Sequence, residues 1–173
     1  MHKKIFLVGP MGAGKTTVGK RLANALGLPF FDSDRVIEER TGANIPLIFD
    51  IEGEAGFRRR EAAIIDELTQ RDRIVLATGG GAILSPENRR HLHERGTTVY
   101  LEASVDTQLE RTRHDKNRPL LQADDPRQRL LELFEQRQRL YQETAHLQVS
   151  TEHGNLRATI NEILRQLGLS DHQ

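Results

Sequence analysis

Short continuous apolar runs alternate along the chain with longer segments in which apolar residues recur every three or four positions. The runs are typical of strands buried on both faces of a parallel sheet, and the longer segments are typical of helices that cover such a sheet. The predicted strands are Ile5–Val8, Leu28–Phe31, Ile74–Ala77, Thr98–Leu101 and a weaker Leu147–Val149. This alternation predicts an α/β fold in which a five-stranded parallel sheet carries helices on both faces.

Glycine and proline mark the ends of the predicted helices. A helix is predicted over Lys15–Leu26, Asp125-Pro126 opens a long helix through Tyr141, and Gly53 separates two helical stretches. No repeat or linker interrupts the pattern. We therefore expect residues 1–173 to form one domain.

Composition excludes several classes of function. The chain has 173 residues, of which 36% are hydrophobic and 29% are charged, and 25 basic residues balance 25 acidic ones. The zero net charge provides no general attraction to nucleic acid or to an anionic membrane. The absence of cysteine excludes disulfides, thiolate catalysis and cysteine-bound zinc. With no apolar run long enough to span a bilayer and no signal peptide, we expect a cytoplasmic protein with no nucleic-acid or membrane partner.

The most specific motif is Gly9–Thr16, which fits the phosphate-binding pattern G-x-x-x-x-G-K-[ST]. It lies between a predicted strand and a predicted helix, so its amides and the helix N-terminus can converge on phosphate oxygens. Lys15 is expected to reach the β- and γ-phosphates, and Thr16 is expected to place its hydroxyl on Mg²⁺. The motif predicts a nucleoside triphosphate site.

The remaining motifs favour a kinase over a nucleotide-dependent switch. The chain lacks the guanine-reading N-K-x-D pattern, and Asp50–Gly53, although it matches D-x-x-G, follows a helical pattern instead of a strand. The strand Ile74–Ala77 is followed by Gly79–Gly81 instead of the acidic residue typical of motors and large ATPases. Glycines at a strand end allow close approach of the backbone to a ligand.

Two acidic residues follow the second predicted strand, on the side of the sheet where ligands bind. Asp32 could hold Mg²⁺ directly or through water, and Asp34 could accept the proton of an attacking hydroxyl. Either residue could instead cap the helix that follows. The phosphate-binding motif favours the functional alternative.

Three arginines are candidates for contacts with bound anions. Arg58 is three residues from Glu61, so the two can pair on one helix face. Arg137 shares a helical stripe with three large apolar or aromatic residues, so it should face inward and need an anion, either a protein carboxylate or a bound one. Arg118 lies in a basic segment that is either a solvated loop or a lid bringing an arginine to the γ-phosphate.

Taken together, these motifs resemble the shikimate kinase family, P-loop kinases with the nucleoside monophosphate kinase-like fold. The resemblance covers essentially the whole chain. It rests on Gly9–Thr16, Asp32-Ser33-Asp34, Phe57-Arg58, Gly79-Gly80-Gly81, Arg118-Pro119-Leu120-Leu121, and Arg137 four residues before Tyr141.

The resemblance implies ATP-dependent phosphorylation of the 3-hydroxyl of shikimate, giving shikimate 3-phosphate and ADP in chorismate and aromatic amino acid biosynthesis. It implies a monomer that uses Mg²⁺, a substrate-binding segment at about 34–68 and a lid at about 113–125. The implied catalytic residues are Asp34, Lys15 and Arg118. The implied ATP-binding residues are Gly12, Ala13, Gly14, Lys15, Thr16, Thr17, Arg111 and Arg118. The implied shikimate-binding residues are Asp34, Arg58, Gly79, Gly80, Gly81 and Arg137, and the implied metal ligands are Thr16 and Asp32.

One stretch departs from the family pattern. The family often has an adenine-contacting arginine shortly after the last strand, where this chain has Thr151–Asn155. A backbone contact to the adenine is the alternative there. Two other functions stay open at this point: a gluconate- or nucleotide-directed kinase of the same fold, and a nucleotide-binding regulatory module.

Overall fold

Five parallel strands form the central sheet of the protein, for which a computed structural model describes residues 2–113, 125–152 and 155–169. The strands are β1 (Lys4–Val8), β2 (Phe30–Asp32), β3 (Ile74–Ala77), β4 (Thr97–Glu102) and β5 (Leu147–Ser150). Their order across the sheet is β2-β3-β1-β4-β5. In this register Phe6 of the central strand lies between Leu76 and Thr98. The predicted five-stranded parallel sheet is confirmed.

Seven helices surround this sheet in the described residues. They are α1 (Lys15–Leu26), α2 (Ser33–Thr41), α3 (Ile45–Leu68), α4 (Pro86–Arg95), α5 (Val105–Thr112), α6 (Pro126–Thr144) and α7 (Leu156–Gln166). The predicted break at Gly53 is confirmed as a kink inside α3, where the backbone has φ 73° and ψ 177°. A positive φ of this kind costs a glycine little, because it has no Cβ.

Alternate residues of the strands face two separate hydrophobic clusters. Phe6 and Leu76 pack on one side with residues from α2, α3, α4 and α6, whereas Leu7 and Val75 pack on the other side with α1 and α7. Because both faces of the central strands are covered, consecutive residues such as Ile5–Val8 and Ile74–Ala77 are apolar instead of alternating with polar residues. No helix in the described ranges is long and apolar enough to cross a membrane.

The strand order determines which loops meet. The carboxyl ends of parallel strands lie at one edge of the sheet, and ligands bind there in open α/β folds. Since β3 lies between β1 and β2, the glycine segment after β3 (Gly79–Gly81) is placed between the phosphate-binding loop after β1 and the acidic residues after β2.

Candidate active site

The loop between β1 and α1 curls around the N-terminus of the helix. Gly14 precedes α1 in the left-handed region, at φ 88°, and has no side chain to cap the first amides. The amides and the helix dipole are therefore available to an anion. Lys15 Nζ donates to the carbonyls of Gly9 at 2.6 Å and Pro10 at 2.8 Å, so its ammonium group lies at the mouth of the loop.

A cleft of about 430 Å³ extends from this loop to the start of α2. Its walls include most of the predicted nucleotide-binding residues and part of the predicted acceptor site. The predicted residues that line it are Gly12, Gly14, Lys15, Thr16, Thr17, Asp32, Asp34, Gly79, Gly80 and Arg111. Ala13 is fully buried and does not line the cleft.

Asp32 accepts three hydrogen bonds. Its Oδ2 accepts a hydrogen bond from the Thr16 hydroxyl at 2.6 Å, and its Oδ1 accepts from the amides of Asp34 at 3.0 Å and Arg35 at 3.4 Å. Asp32 therefore caps α2, which is one of the two roles predicted for it from the sequence. It also faces the phosphate-binding loop. A hydroxyl and a carboxylate oxygen are the hard donors that Mg²⁺ takes when phosphates and water complete its shell, so this pair fits the metal.

Asp34 lies directly against the glycine segment. A Cβ built on Gly79 would be 2.7 Å from Asp34 Oδ1 and 3.1 Å from Glu61 Oε2. Any other residue at this position would displace one of these carboxylates. The lack of a side chain at position 79 is thus required by the carboxylates that pack over it.

The two predicted anion-binding arginines also reach this segment. A Cβ on Gly81 would overlap the Arg58 guanidinium, and a Cβ on Gly80 would lie 3.7 Å from Arg137 Nη1. The predicted pair of Arg58 with Glu61 is confirmed, with Nη1 2.9 Å from Oε1.

The Glu61 side chain is 1% exposed. Burial raises its pKa to about 7, against the opposing attraction of the neighbouring arginines.

Arg137 is 4% exposed, and the described residues place no carboxylate within ion-pairing distance of it. Burial lowers the pKa of this guanidinium; the neighbouring Tyr141 hydroxyl raises it in part, and the positive charge of Arg58 lowers it. The sequence left two alternatives for the anion that pairs with Arg137. The described residues do not supply the first of these, a protein carboxylate. A bound anion as the partner of Arg137 stays a prediction.

Arg111 lines the cleft, whereas three other predicted arginines lie outside it or outside the described ranges. Arg111 donates to the carbonyls of Gly12 at 2.9 Å and Thr151 at 3.0 Å, which connects the phosphate-binding loop to the end of β5. Arg118 and most of the predicted lid lie in 114–124, outside the described residues. Arg58 and Arg137 do not line the main cleft and approach it only through the glycine segment.

Sequence reasoning missed several residues of this region. Arg35, Glu38 and Thr78 also line the cleft. Glu38 could have been found, because it is four residues after Asp34 and so shares its helix face. No pattern in the sequence predicts which distant residues contact the glycine segment.

Comparison with known proteins identifies the family of this site. The sequence profile described as shikimate kinase matches residues 11–168. A shikimate kinase of Halorhodospira halophila is 61% identical over 164 residues, which cover 95% of this chain and 93% of that protein. One of Burkholderia pseudomallei is 58% identical over 169 residues, covering 98% and 92%.

The solved structures agree with this assignment. A shikimate kinase from Acinetobacter baumannii, determined in complex with shikimate, superposes with a TM-score of 0.95 at 51% identity, covering 100% of this chain and 97% of that one. The phosphate-binding loop, the carboxylates and the arginines Arg58 and Arg137 are thus set in a fold shared with these enzymes. The chain belongs to the shikimate kinase family and catalyses the phosphorylation of shikimate.

Proposed function

We propose that Asp34 is the general base of this reaction, in which the 3-hydroxyl of shikimate attacks the γ-phosphorus of ATP. The oxygen–phosphorus bond to the acceptor forms as the bond to the β-phosphate oxygen breaks, the hydroxyl proton passes to the Asp34 carboxylate, and ADP leaves. The observation that carries this proposal is that Asp34 shares one cleft with Lys15 and the phosphate-binding loop.

The charges at the glycine segment support a role in binding the carboxylate of shikimate. Arg58 and Arg137 approach the segment from α3 and α6, and Gly79, Gly80 and Gly81 let them come close. Guanidinium groups can bind a carboxylate through two parallel hydrogen bonds. Binding there would place the acceptor ring beside Asp34, because Asp34 packs against the same segment.

The opposite end of the cleft suits the nucleotide. We infer that the loop amides from Gly12 to Thr17 bind the phosphates, that Lys15 turns from its carbonyl contacts toward the β- and γ-phosphates, and that Arg111 lies near the adenine. Thr16 and Asp32 would hold Mg²⁺, which neutralises phosphate charge when bound. We propose that Arg118 acts on the γ-phosphate from a lid at 113–125.

We further propose that residues 1–173 act as one monomeric kinase domain with a substrate-binding segment at 34–68. The assigned groups that are described gather around one cleft and the adjoining glycine segment of the chain, which supports the proposal of a single-chain site. A cytoplasmic location is proposed because ATP is available there. Size-exclusion chromatography with light scattering tests the oligomeric state.

The experiment that tests the proposed base is Asp34→Asn. Turnover of shikimate should fall by about 10²- to 10⁴-fold, because the amide cannot accept the proton, while ADP binding should stay within about twofold. Asp72→Asn, at an exposed carboxylate before β3, is the matched control and should keep full turnover. Equal turnover in Asp34→Asn and the control would show that Asp34 is not the base.

A further inference from the structure

Two hydrogen bonds hold the glycine segment from opposite sides. The Gly79 N–H donates to Ser33 Oγ at 3.2 Å, and the Tyr141 hydroxyl donates to the Gly80 carbonyl at 2.6 Å. Ser33 begins α2, one residue before Asp34, and Tyr141 belongs to α6. The segment is therefore connected directly to the helices that carry the proposed base and one proposed carboxylate-binding arginine.

Both hydroxyl groups belong to buried residues. Ser33 is 0% exposed and Tyr141 is 3% exposed, with the Tyr141 ring stacked on Tyr100 at a centroid distance of 5.1 Å. Burial raises the pKa of Tyr141, so its hydroxyl keeps the proton that it donates. A buried tyrosine hydroxyl needs a partner, and here that partner is the backbone of the segment.

The Gly80 peptide lies between α6 and the phosphate-binding loop. A Cβ at Gly80 would be 3.7 Å from Arg137 Nη1 on one side and 3.4 Å from the Met11 amide nitrogen on the other. Tyr141 is four residues after Arg137, so both side chains project from the same helix face. Loss of the tyrosine hydrogen bond would free Gly80 to move relative to Arg137.

We propose that Ser33 and Tyr141 are positioning residues for shikimate binding, which they support by fixing the glycine segment between α2 and α6. This inference rests on the proposed roles of Asp34 and Arg137. Neither hydroxyl is needed to contact substrate. Ser33 acts through the backbone position that it fixes, and Tyr141 acts through Gly80 and through its own contact with the Arg137 guanidinium.

The test is steady-state kinetics of Tyr141→Phe and Ser33→Ala. Each removes one hydrogen bond to the segment and should raise the KM for shikimate by about three- to tenfold, with the KM for ATP changed less than twofold. Thr98→Val is the matched control, because it removes another buried hydroxyl-to-carbonyl bond of 2.6 Å, from Thr98 to Leu92, outside the cleft. It should lower thermal stability without changing either KM.

Arg137→Ala, measured in the same series, separates the positioning role of the two hydroxyls from the proposed carboxylate-binding role of Arg137. If it raises the KM for shikimate but both hydroxyl variants leave that KM unchanged, the positioning role is refuted and the carboxylate site stands. If Arg137→Ala has no effect on the KM for shikimate, the carboxylate site is wrong and the inference falls with it. A rise of both KM values in proportion to lost stability would show a merely structural role. Should one hydroxyl variant not fold, the other decides.

Discussion

The buried carboxylate of Glu61 predicts a specific pH dependence of stability. Its pKa is raised from 4.5 to about 7 because the side chain is buried, so the folded state binds a proton that the unfolded chain has already released. Between pH 4.5 and about 7, each pH unit therefore lowers the free energy of unfolding by about 1.4 kcal/mol, or about 3 kcal/mol over the interval. Stability from this group is fully present at low pH and is lost as the pH rises.

Glu61→Gln removes this titration while keeping the side-chain shape. Urea unfolding of both proteins from pH 4.5 to 7.5 should show Glu61→Gln gaining about 3 kcal/mol relative to the original chain across that range. Glu94→Gln, at an exposed residue of α4, is the control and should follow the original chain at every pH. If the free energy of unfolding of Glu61→Gln changes with pH as that of the original chain does, the carboxylate does not hold a proton in the folded state.

Three further changes test other contacts. Gly79→Ala should reduce turnover at least about tenfold in the coupled kinase assay, because its Cβ would lie 2.7 Å from Asp34 Oδ1; unchanged kcat would refute the steric argument. Burial lowers the pKa of His146, whose Nδ1 accepts from the Thr98 amide at 2.9 Å, so stability should fall as the pH drops through about 6.5. His146→Asn should lose less stability between pH 7.5 and 5.5 than the original chain, and an equal loss in thermal melts would contradict this. Asp32→Ala should cost about 1 kcal/mol of stability through the lost cap and should raise the Mg²⁺ concentration needed for half-maximal activity.

Local signals in the sequence were enough to predict the fold. The apolar runs Ile5–Val8 and Ile74–Ala77 predicted strands because a covered parallel sheet needs apolar residues on both faces, and the weaker run Leu147–Val149 proved to be an edge strand that is only partly buried. Gly53 was predicted as a break and adopts a positive φ, although the segments on both sides of it are helical. The pair of Arg58 and Glu61 was predicted from helix spacing and is present at 2.9 Å.

Contacts between residues distant in sequence were not predictable in this way. The bond from Tyr141 to Gly80 joins residues 61 positions apart, and that from Arg111 to Gly12 joins residues 99 apart. Periodicity reports which face of an element is buried but not which partner it meets. The proton affinity of Glu61 likewise depends on the depth of its burial, which spacing along the chain does not report.

The insertion of β3 between β1 and β2 sets a distance as well as an order. Neighbouring strands lie about 4.8 Å apart, so the ends of β1 and β2 are separated by roughly 9.6 Å. The glycine segment beyond β3 lies in that gap, and because residues 79–81 have no side chains, Asp34, Arg58 and Arg137 can come close to it there. The width of one strand thus sets how far the carboxylates after β2 lie from the phosphate-binding loop after β1.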